Sequence, residues 1–228
     1  SDTLRITGGM ATAVPSIDCG AAATTLRLLL PAALALYGEA NFTGTPSLMS
    51  RPLEPYFRLF RERGIEYELN GNCLRVRGRL LAGEYALPGD VSSQFFSGLL
   101  LALPLLDGES RLRAESPIQS RPYIDMTLDS MKRHGVSVTQ GKNEFIIAPQ
   151  RYMGCDCAAE SDWSHAALWL AARELGNDIS ILGMTEKSVQ GDRIFMEYLR
   201  ALHSNRDIAL DVSPCPDIGP PRALAAAL

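Results

Sequence analysis

The sequence predicts an α/β protein built from repeated βαβαββ units. A tripeptide recurs about seventy residues apart, apolar helices open on glycine or hydroxyl-rich turns, and short alternating runs fall between them. With 46% hydrophobic and 21% charged residues, the chain can bury one large or two small domains, and disorder is excluded.

Residues 1–8 alternate like a strand and carry no apolar leader segment, so a cytoplasmic protein is expected. Gly20 then starts an apolar helix, whose run from 26 to 36 is interrupted by Arg27 and Pro31 and is too short to cross a bilayer. Ser50-Arg51-Pro52 opens an amphipathic helix through Tyr56, Leu59 and Phe60 that stops at Gly64, and residues 65–69 read as a strand. A strand at 84–87 precedes the second apolar helix, which begins at Gly89-Asp90 and is broken by Ser97 and Pro104. Ser120-Arg121-Pro122 repeats the tripeptide and opens a helix through Ile124, Leu128 and Met131 to Gly135; strands follow at 136–139 and 144–148. Glu160-Ser161-Asp162 starts a third apolar helix, in which Trp163, His165 and Trp169 keep helical spacing and are expected to pack. A strand at 179–182 leads to Gln190-Gly191-Asp192 and a helix through Phe195, Tyr198, Leu199 and Leu202. The fourth apolar helix, after Asp217, comes earlier than the repeat requires, so a hairpin is expected to be missing near residues 203–207. The chain starts partway through a unit and ends inside an apolar helix, so either a fragment of a longer protein or its ordered part alone is expected.

A net charge of −4 gives no field to draw nucleic acid or an anionic membrane, so any anion site has to be built from placed donors. The five cysteines include no Cys-x-x-Cys pair and are expected to be reduced. Cys155-Asp156-Cys157 looks like half a metal site, but alternate residues of a strand face opposite sides and only one thiol could line it, so no metal is expected.

Helix N-termini offer unpaired N–H groups that suit phosphate. Val91-Ser92-Ser93-Gln94 places two hydroxyls and an amide at such a start, and Ser92 is either a simple N-cap or part of a phosphate site. Ser120 has the same two readings, while Tyr123 adds a ring face and a hydroxyl. Arg51 and Arg121 oppose the dipole at their helix starts and need a counter-anion or an outward course. Arg27, within an apolar helix, is expected to form a structural ion pair, and Asp162 and Asp217 read first as capping residues.

Asp18-Cys19-Gly20 through Thr24-Thr25-Leu26-Arg27, Arg51-Pro52, Val91-Ser92-Ser93-Gln94-Phe95, Ser120 through Thr127, Asp162-Trp163-Ser164, Gln190-Gly191-Asp192 and Pro216-Asp217 together resemble the 5-enolpyruvylshikimate 3-phosphate (EPSP) synthase family. The resemblance covers essentially the whole chain, and Ser-Ser-Gln-Phe and Pro-Tyr-Ile-Asp-Met-Thr are its specific segments. It implies a two-domain enolpyruvyl transferase fold with the site in the cleft, residues 1–157 belonging to one domain and 158–228 to the other. It implies transfer of the enolpyruvyl group of phosphoenolpyruvate to shikimate 3-phosphate by a cytoplasmic monomer. Neither metal nor organic cofactor is implied, and no nucleic-acid or membrane partner. Carried over by position, Ser92, Ser93 and Ser120 hold the shikimate phosphate, Tyr123 packs along that substrate's ring, and Gln94 touches both substrates. Arg51 pairs with phosphoenolpyruvate near Ala23, and Asp217 is both a shikimate 3-phosphate contact and the proton acceptor.

The family has a glycine where this chain has Ala23, so a methyl group enters the phosphoenolpyruvate space and the longer inhibitor glyphosate is expected to be hindered more. Ala21 likewise replaces a polar residue. The family's early Lys and Ser/Arg ligands and its later Glu, Lys, Arg and His cluster fall outside this sequence, so these residues alone are not expected to turn over. Two other readings remain: the related transferase acting on UDP-N-acetylglucosamine, which lacks the Ser92-Ser93-Gln94 and Tyr123-Ile124-Asp125 signatures, and a non-catalytic relative that binds a phosphorylated ligand.

Overall fold

The computed structural model describes residues 3–9, 13–203, 209 and 211–226. The first unit runs β1 (Ser16–Asp18), α1 (Ala23–Leu36), β2 (Glu39–Thr43), the single-turn α2 (Pro46–Met49), α3 (Glu54–Arg63), β3 (Glu66–Asn70) and β4 (Cys73–Arg77). Its sheet has the order β1-β2-β4-β3, with β1 parallel to β2 and the remaining pairs antiparallel. The second unit runs β5 (Glu84–Leu87), α4 (Ser93–Ala102), β6 (Ser110–Ala114), α5 (Arg121–Arg133), β7 (Thr139–Gln140) and β8 (Glu144–Ile147). Its order, β5-β6-β8-β7, and its strand directions reproduce the first. The repeat read from the sequence is thus a repeat of topology, strand for strand.

Local patterning explains the elements. In β4, Leu74 and Val76 face the core while Arg75 and Arg77 face solvent, the period-2 alternation of a half-buried strand. In α3, Tyr56, Leu59 and Phe60 are buried on one face, and Gly64, in the left-handed region at φ 66°, ends the helix. At the end of α5, the Val136 N–H returns to the Met131 carbonyl (2.9 Å) past Gly135 at φ 81°.

One apolar core runs through both units, from Cys19 to Ile147. At its centre α1 lies against α4, and Gly98 marks the closest approach: a Cβ added there would stand 2.3 Å from both the Arg27 carbonyl and the Tyr56 hydroxyl. The fully buried Tyr56 shares its hydroxyl proton between the carbonyls of Arg27 (2.9 Å) and Phe95 (3.0 Å), tying α3 to both helices.

A second, smaller core gathers α6 (Trp163–Glu174), α7 (Phe195–Leu202) and α8 (Gly219–Ala226) around Phe195 and Ile218. No described helix is long and apolar enough to cross a membrane.

Several expectations need correction. Residues 3–9 form no strand: Leu4 and Ile6 are more than 80% exposed, and no described strand supplies the backbone partners that an isolated strand lacks. For the same reason residues 179–182 are not a strand; Leu182 is exposed and neither sheet of the described residues includes them. The strand expected at 136–139 shrinks to Thr139–Gln140, because Val136 is tied back to Met131 past the exit turn at His134-Gly135 and Ser137 spends its N–H and carbonyl on the Gln150 side chain (2.8 Å each). The two tripeptides are not equivalent: Ser120 is the N-cap of α5, whereas α3 starts only at Glu54 and Ser50 closes α2. Trp163 is buried, but His165 and Trp169 point to solvent. The missing hairpin expected at 203–207 falls, from residue 204 on, outside the described residues.

Gly98→Ala should push α1 and α4 apart and cost about 1–3 kcal/mol, whereas Tyr56→Phe should cost only about 1 kcal/mol. Urea midpoints measure both; a Gly98→Ala protein as stable as the parent would show that this approach does not constrain the fold.

Candidate functional site

Four helix starts surround one cavity of about 380 Å³, and the residues that make it come from α1, α4, α5 and the turn before α8. At the start of α4, Ser92 is extended and its Oγ accepts from the Gln94 N–H (3.3 Å), so its capping reading holds while it also lines the cavity. Ser93, the first residue of α4, is buried, and among the described residues its hydroxyl has no hydrogen-bond partner.

Ser120 behaves differently. Its backbone is left-handed (φ 56°, ψ 34°), the one positive φ outside glycine among the described residues, and it makes no side-chain cap. Such a conformation costs on the order of 1–3 kcal/mol and persists only where its surroundings enforce it. Here the preceding segment is stitched to the turn before α4. The Gln119 N–H donates to the Gly89 carbonyl (2.9 Å), the Gly89 N–H to Ser116 Oγ (2.8 Å), and Ser116 Oγ to Asp90 (2.8 Å). Only glycine fits at 89, since a Cβ there would meet the Ser116 carbonyl at 2.3 Å. The result is that the Ser120 hydroxyl is left free beside Ser92 and Ser93.

Gln94 is held from two sides. Its amide donates to Thr24 Oγ1 at the start of α1 (2.8 Å), and its carbonyl accepts from Arg27 (2.9 Å). Arg27 also donates to the Pro52 carbonyl (3.2 Å) and lies over the Phe95 ring, but its buried Nε has no partner. The structural ion pair expected of Arg27 is therefore absent among the described residues. Burial, and then the like charge of Arg51, draw its pKa below the ordinary guanidinium value. Arg51 itself is exposed, has no acidic partner among the described residues and stands outside the cavity lining. Arg121, in contrast, has its counter-anion in Asp125 (2.8 Å). Ala23 is the buried first residue of α1, next to the lining residue Thr24.

From the second core comes Asp217, whose exposed carboxyl lies in the turn Pro216–Ile218 and lines the cavity without making a cap. Asp162 is the capping residue its spacing indicates, accepting from the N–H groups of Ser164 (2.8 Å) and His165 (3.1 Å).

Tyr123 joins the two cores. Its hydroxyl donates to Asp192 (3.0 Å), a carboxylate only 2% exposed that also accepts from the Ser164 hydroxyl. Burial first, and then the charges of Asp192 and Asp217, push the Tyr123 phenol far above its ordinary pKa, so it remains a donor. Burial and Asp192 likewise push the Cys215 thiol up to about 12.

The cavity thus collects Ser92, Ser93, Gln94, Ser120, Tyr123 and Asp217, and leaves Arg51 and Ala23 at its flank. Sequence reasoning gave Asp192 no role beyond opening a helix; the one local signal was a carboxylate where the other two copies carry proline. It also passed over Ser97 and Thr127, which bond to each other (2.7 Å) at the cavity wall. The expectation for Cys155 and Cys157 is corrected: residues 150–162 form no strand, and both sulfurs converge with a His134 ring nitrogen, all within 4.8 Å of one another.

A family model described as EPSP synthase (3-phosphoshikimate 1-carboxyvinyltransferase) matches residues 2–227. The chain is 36% identical to the 3-phosphoshikimate 1-carboxyvinyltransferase of Clostridium kluyveri, over 94% of its own length and 55% of the relative's. It is 37% identical to that of Clostridioides difficile, over 93% and 53% respectively. The chain therefore spans about half the length of the curated relatives it matches. Among solved structures, an EPSP synthase from Acinetobacter baumannii shares the fold with a TM-score of 0.63 at 23% identity, over 82% of this chain and 42% of that one.

Asp192→Ala strips both Tyr123 and Ser164 of their acceptor, while Tyr123→Phe takes one donor from a buried carboxylate; each should cost about 1.5–3 kcal/mol, Asp192→Ala the more. Denaturant titration of the two variants orders them; equal costs would mean that Asp192 is not the shared acceptor.

Proposed function

The chain belongs to the EPSP synthase family, and on that premise we propose that the cavity at the four helix starts binds shikimate 3-phosphate within an enzyme that transfers the enolpyruvyl group of phosphoenolpyruvate to it. One observation carries the reading: the strained Ser120 and the buried Ser93 keep hydroxyls that no protein group uses, in the same cavity as the α4 start. Such donors match the three non-bridging oxygens of a phosphate monoester, and the helix dipole adds to them. Gln94, fixed by Thr24 and Arg27, stands where it can touch both substrates, and Tyr123 offers its ring to the carbocycle. Arg51 and Arg27, two cations without acidic partners among the described residues, suit the phosphoenolpyruvate anion. In this reading, residues 1–157 form one domain around the larger core and residues 158–228 belong to the other, so that Asp217 reaches the cleft from across it.

Asp217 takes the proton of the attacking substrate hydroxyl as oxygen bonds to C2 of phosphoenolpyruvate and C3 gains a proton. The tetrahedral adduct then loses a proton from C3 and expels phosphate, restoring the double bond. Acid–base groups and anion clamps carry these steps. The working unit is a cytoplasmic monomer taking small molecules, without a nucleic-acid or membrane partner. With Ala23 beside Thr24, the phosphoenolpyruvate space is tighter than in a glycine-bearing relative, and the enzyme is glyphosate-tolerant.

In the full-length protein, changing Ser92, Ser93 and Ser120 together to alanine should weaken shikimate 3-phosphate binding by more than about 100-fold in calorimetry. Asp217→Asn should slow phosphate release by about 100-fold or more while retaining binding. Unchanged affinity in the serine variant sinks the pocket assignment; ligand binding without any phosphate release in the parent favours the non-catalytic relative. Ala23→Gly should lower the inhibitory glyphosate concentration by about 10-fold or more, the effect of one methyl group in a tight pocket. Low-micromolar inhibition of the unaltered enzyme would count against tolerance.

A further inference from the structure

Cys155, Cys157 and His134 lie away from the cavity and take no part in it. We infer that they form a binding site for a borderline-soft divalent cation of the zinc class. Their three donor atoms are already within 4.8 Å of one another. In a tetrahedral site with Zn–S about 2.3 Å and Zn–N about 2.0–2.1 Å, ligand atoms stand about 3.5–3.8 Å apart, so side-chain adjustments of about 1 Å close it. Two thiolates and an imidazole are the ligand types that select this cation over calcium or magnesium, which require oxygen.

The tautomer of the imidazole suits a ligand. Its Nδ1 stands 2.9 Å from the Ser130 carbonyl, which can only accept, so Nδ1 carries the proton and Nε2 keeps its lone pair. A ligating histidine is held this way by an outer partner. The ligands are also fixed by more than one exposed loop. His134 is the C-cap of α5, and the Met153 N–H donates to the His134 carbonyl (2.9 Å), anchoring the connecting segment two residues before Cys155. Both thiols are free and exposed, so a cation reaches them without opening the fold. Binding displaces thiol protons to solvent and leaves the fourth position to water. It clamps the connector between the two cores to α5, the helix whose other end carries Ser120 and Tyr123.

The test uses the reduced, chelator-treated chain, titrated with Co²⁺ and then with Zn²⁺ in competition with a chromophoric chelator. One equivalent of Co²⁺ should give thiolate-to-cobalt charge transfer and the intense visible bands of a tetrahedral centre, both displaced by Zn²⁺. Cys155→Ser and Cys157→Ser should each reduce the charge transfer and weaken Zn²⁺ binding by more than about 100-fold, and His134→Gln by at least about 10-fold. In the unaltered protein, Zn²⁺ should also shield Cys155 and Cys157, but not Cys73, from alkylation read by peptide mass spectrometry. The absence of thiolate bands in the folded parent overturns the inference. Bands that persist in the Cys155→Ser/Cys157→Ser double variant do the same, as does equal labelling of both cysteines with and without Zn²⁺.

Discussion

The packing of α1 on α4 depends on the absence of one side chain. Because Gly98 has no Cβ, the Arg27 carbonyl and the Tyr56 hydroxyl occupy the space in which one would stand. The Tyr56 proton, shared between carbonyls of the two helices, converts that proximity into a fixed alignment. Alignment of the axes brings the helix starts level, and only then can Gln94 reach Thr24 on one helix while accepting from Arg27 one turn further in. The polar lining of the cavity is thus a consequence of apolar packing beneath it. Rotation of either helix would separate those partners before it exposed much of the core.

The electrostatics follow the same economy of placement. A chain with a net charge of −4 cannot attract anions by its overall field. It concentrates donors instead, at helix starts where backbone N–H groups already point outward. At Ser120 an unfavourable backbone conformation is maintained by stitches running through Gly89, Ser116 and Gln119. Arg27 shows the complementary strategy. It is half-buried against Phe95 with one nitrogen unpaired and a second arginine nearby, so its charge is left without an acidic partner among the described residues.

The α/β repeat was legible because its signals are local. Gly64 and Gly135 stop helices, β4 alternates, and the apolar faces of α3 and α7 follow helical spacing. The serines of the α4 and α5 starts were legible as candidates for the same reason. What spacing could not supply was which of these hydroxyls make a cap and which stay unpartnered, which turned on a backbone angle at Ser120 and on local hydrogen bonding. The strands expected at residues 1–8, described from residue 3, and at 179–182 were overread because alternation describes a surface, and the partner that makes a strand lies elsewhere in the chain. Asp192 and the His134, Cys155 and Cys157 cluster were out of reach for a related reason: each is defined by groups that meet across distant parts of the sequence.

The two Ser-Arg-Pro copies show where the units diverge. In the second unit the tripeptide occupies the start of α5, while in the first it lies after α2 and α3 begins three residues later than its counterpart. The helix exits nevertheless match: the Ile65 N–H returns to the Phe60 carbonyl past Gly64 as the Val136 N–H returns to the Met131 carbonyl past Gly135, seventy-one residues on. The tripeptides, seventy residues apart, are therefore within one residue of register, and an alignment of the halves that matched helix starts instead would slip the buried face of α3 by nearly a full turn against that of α5.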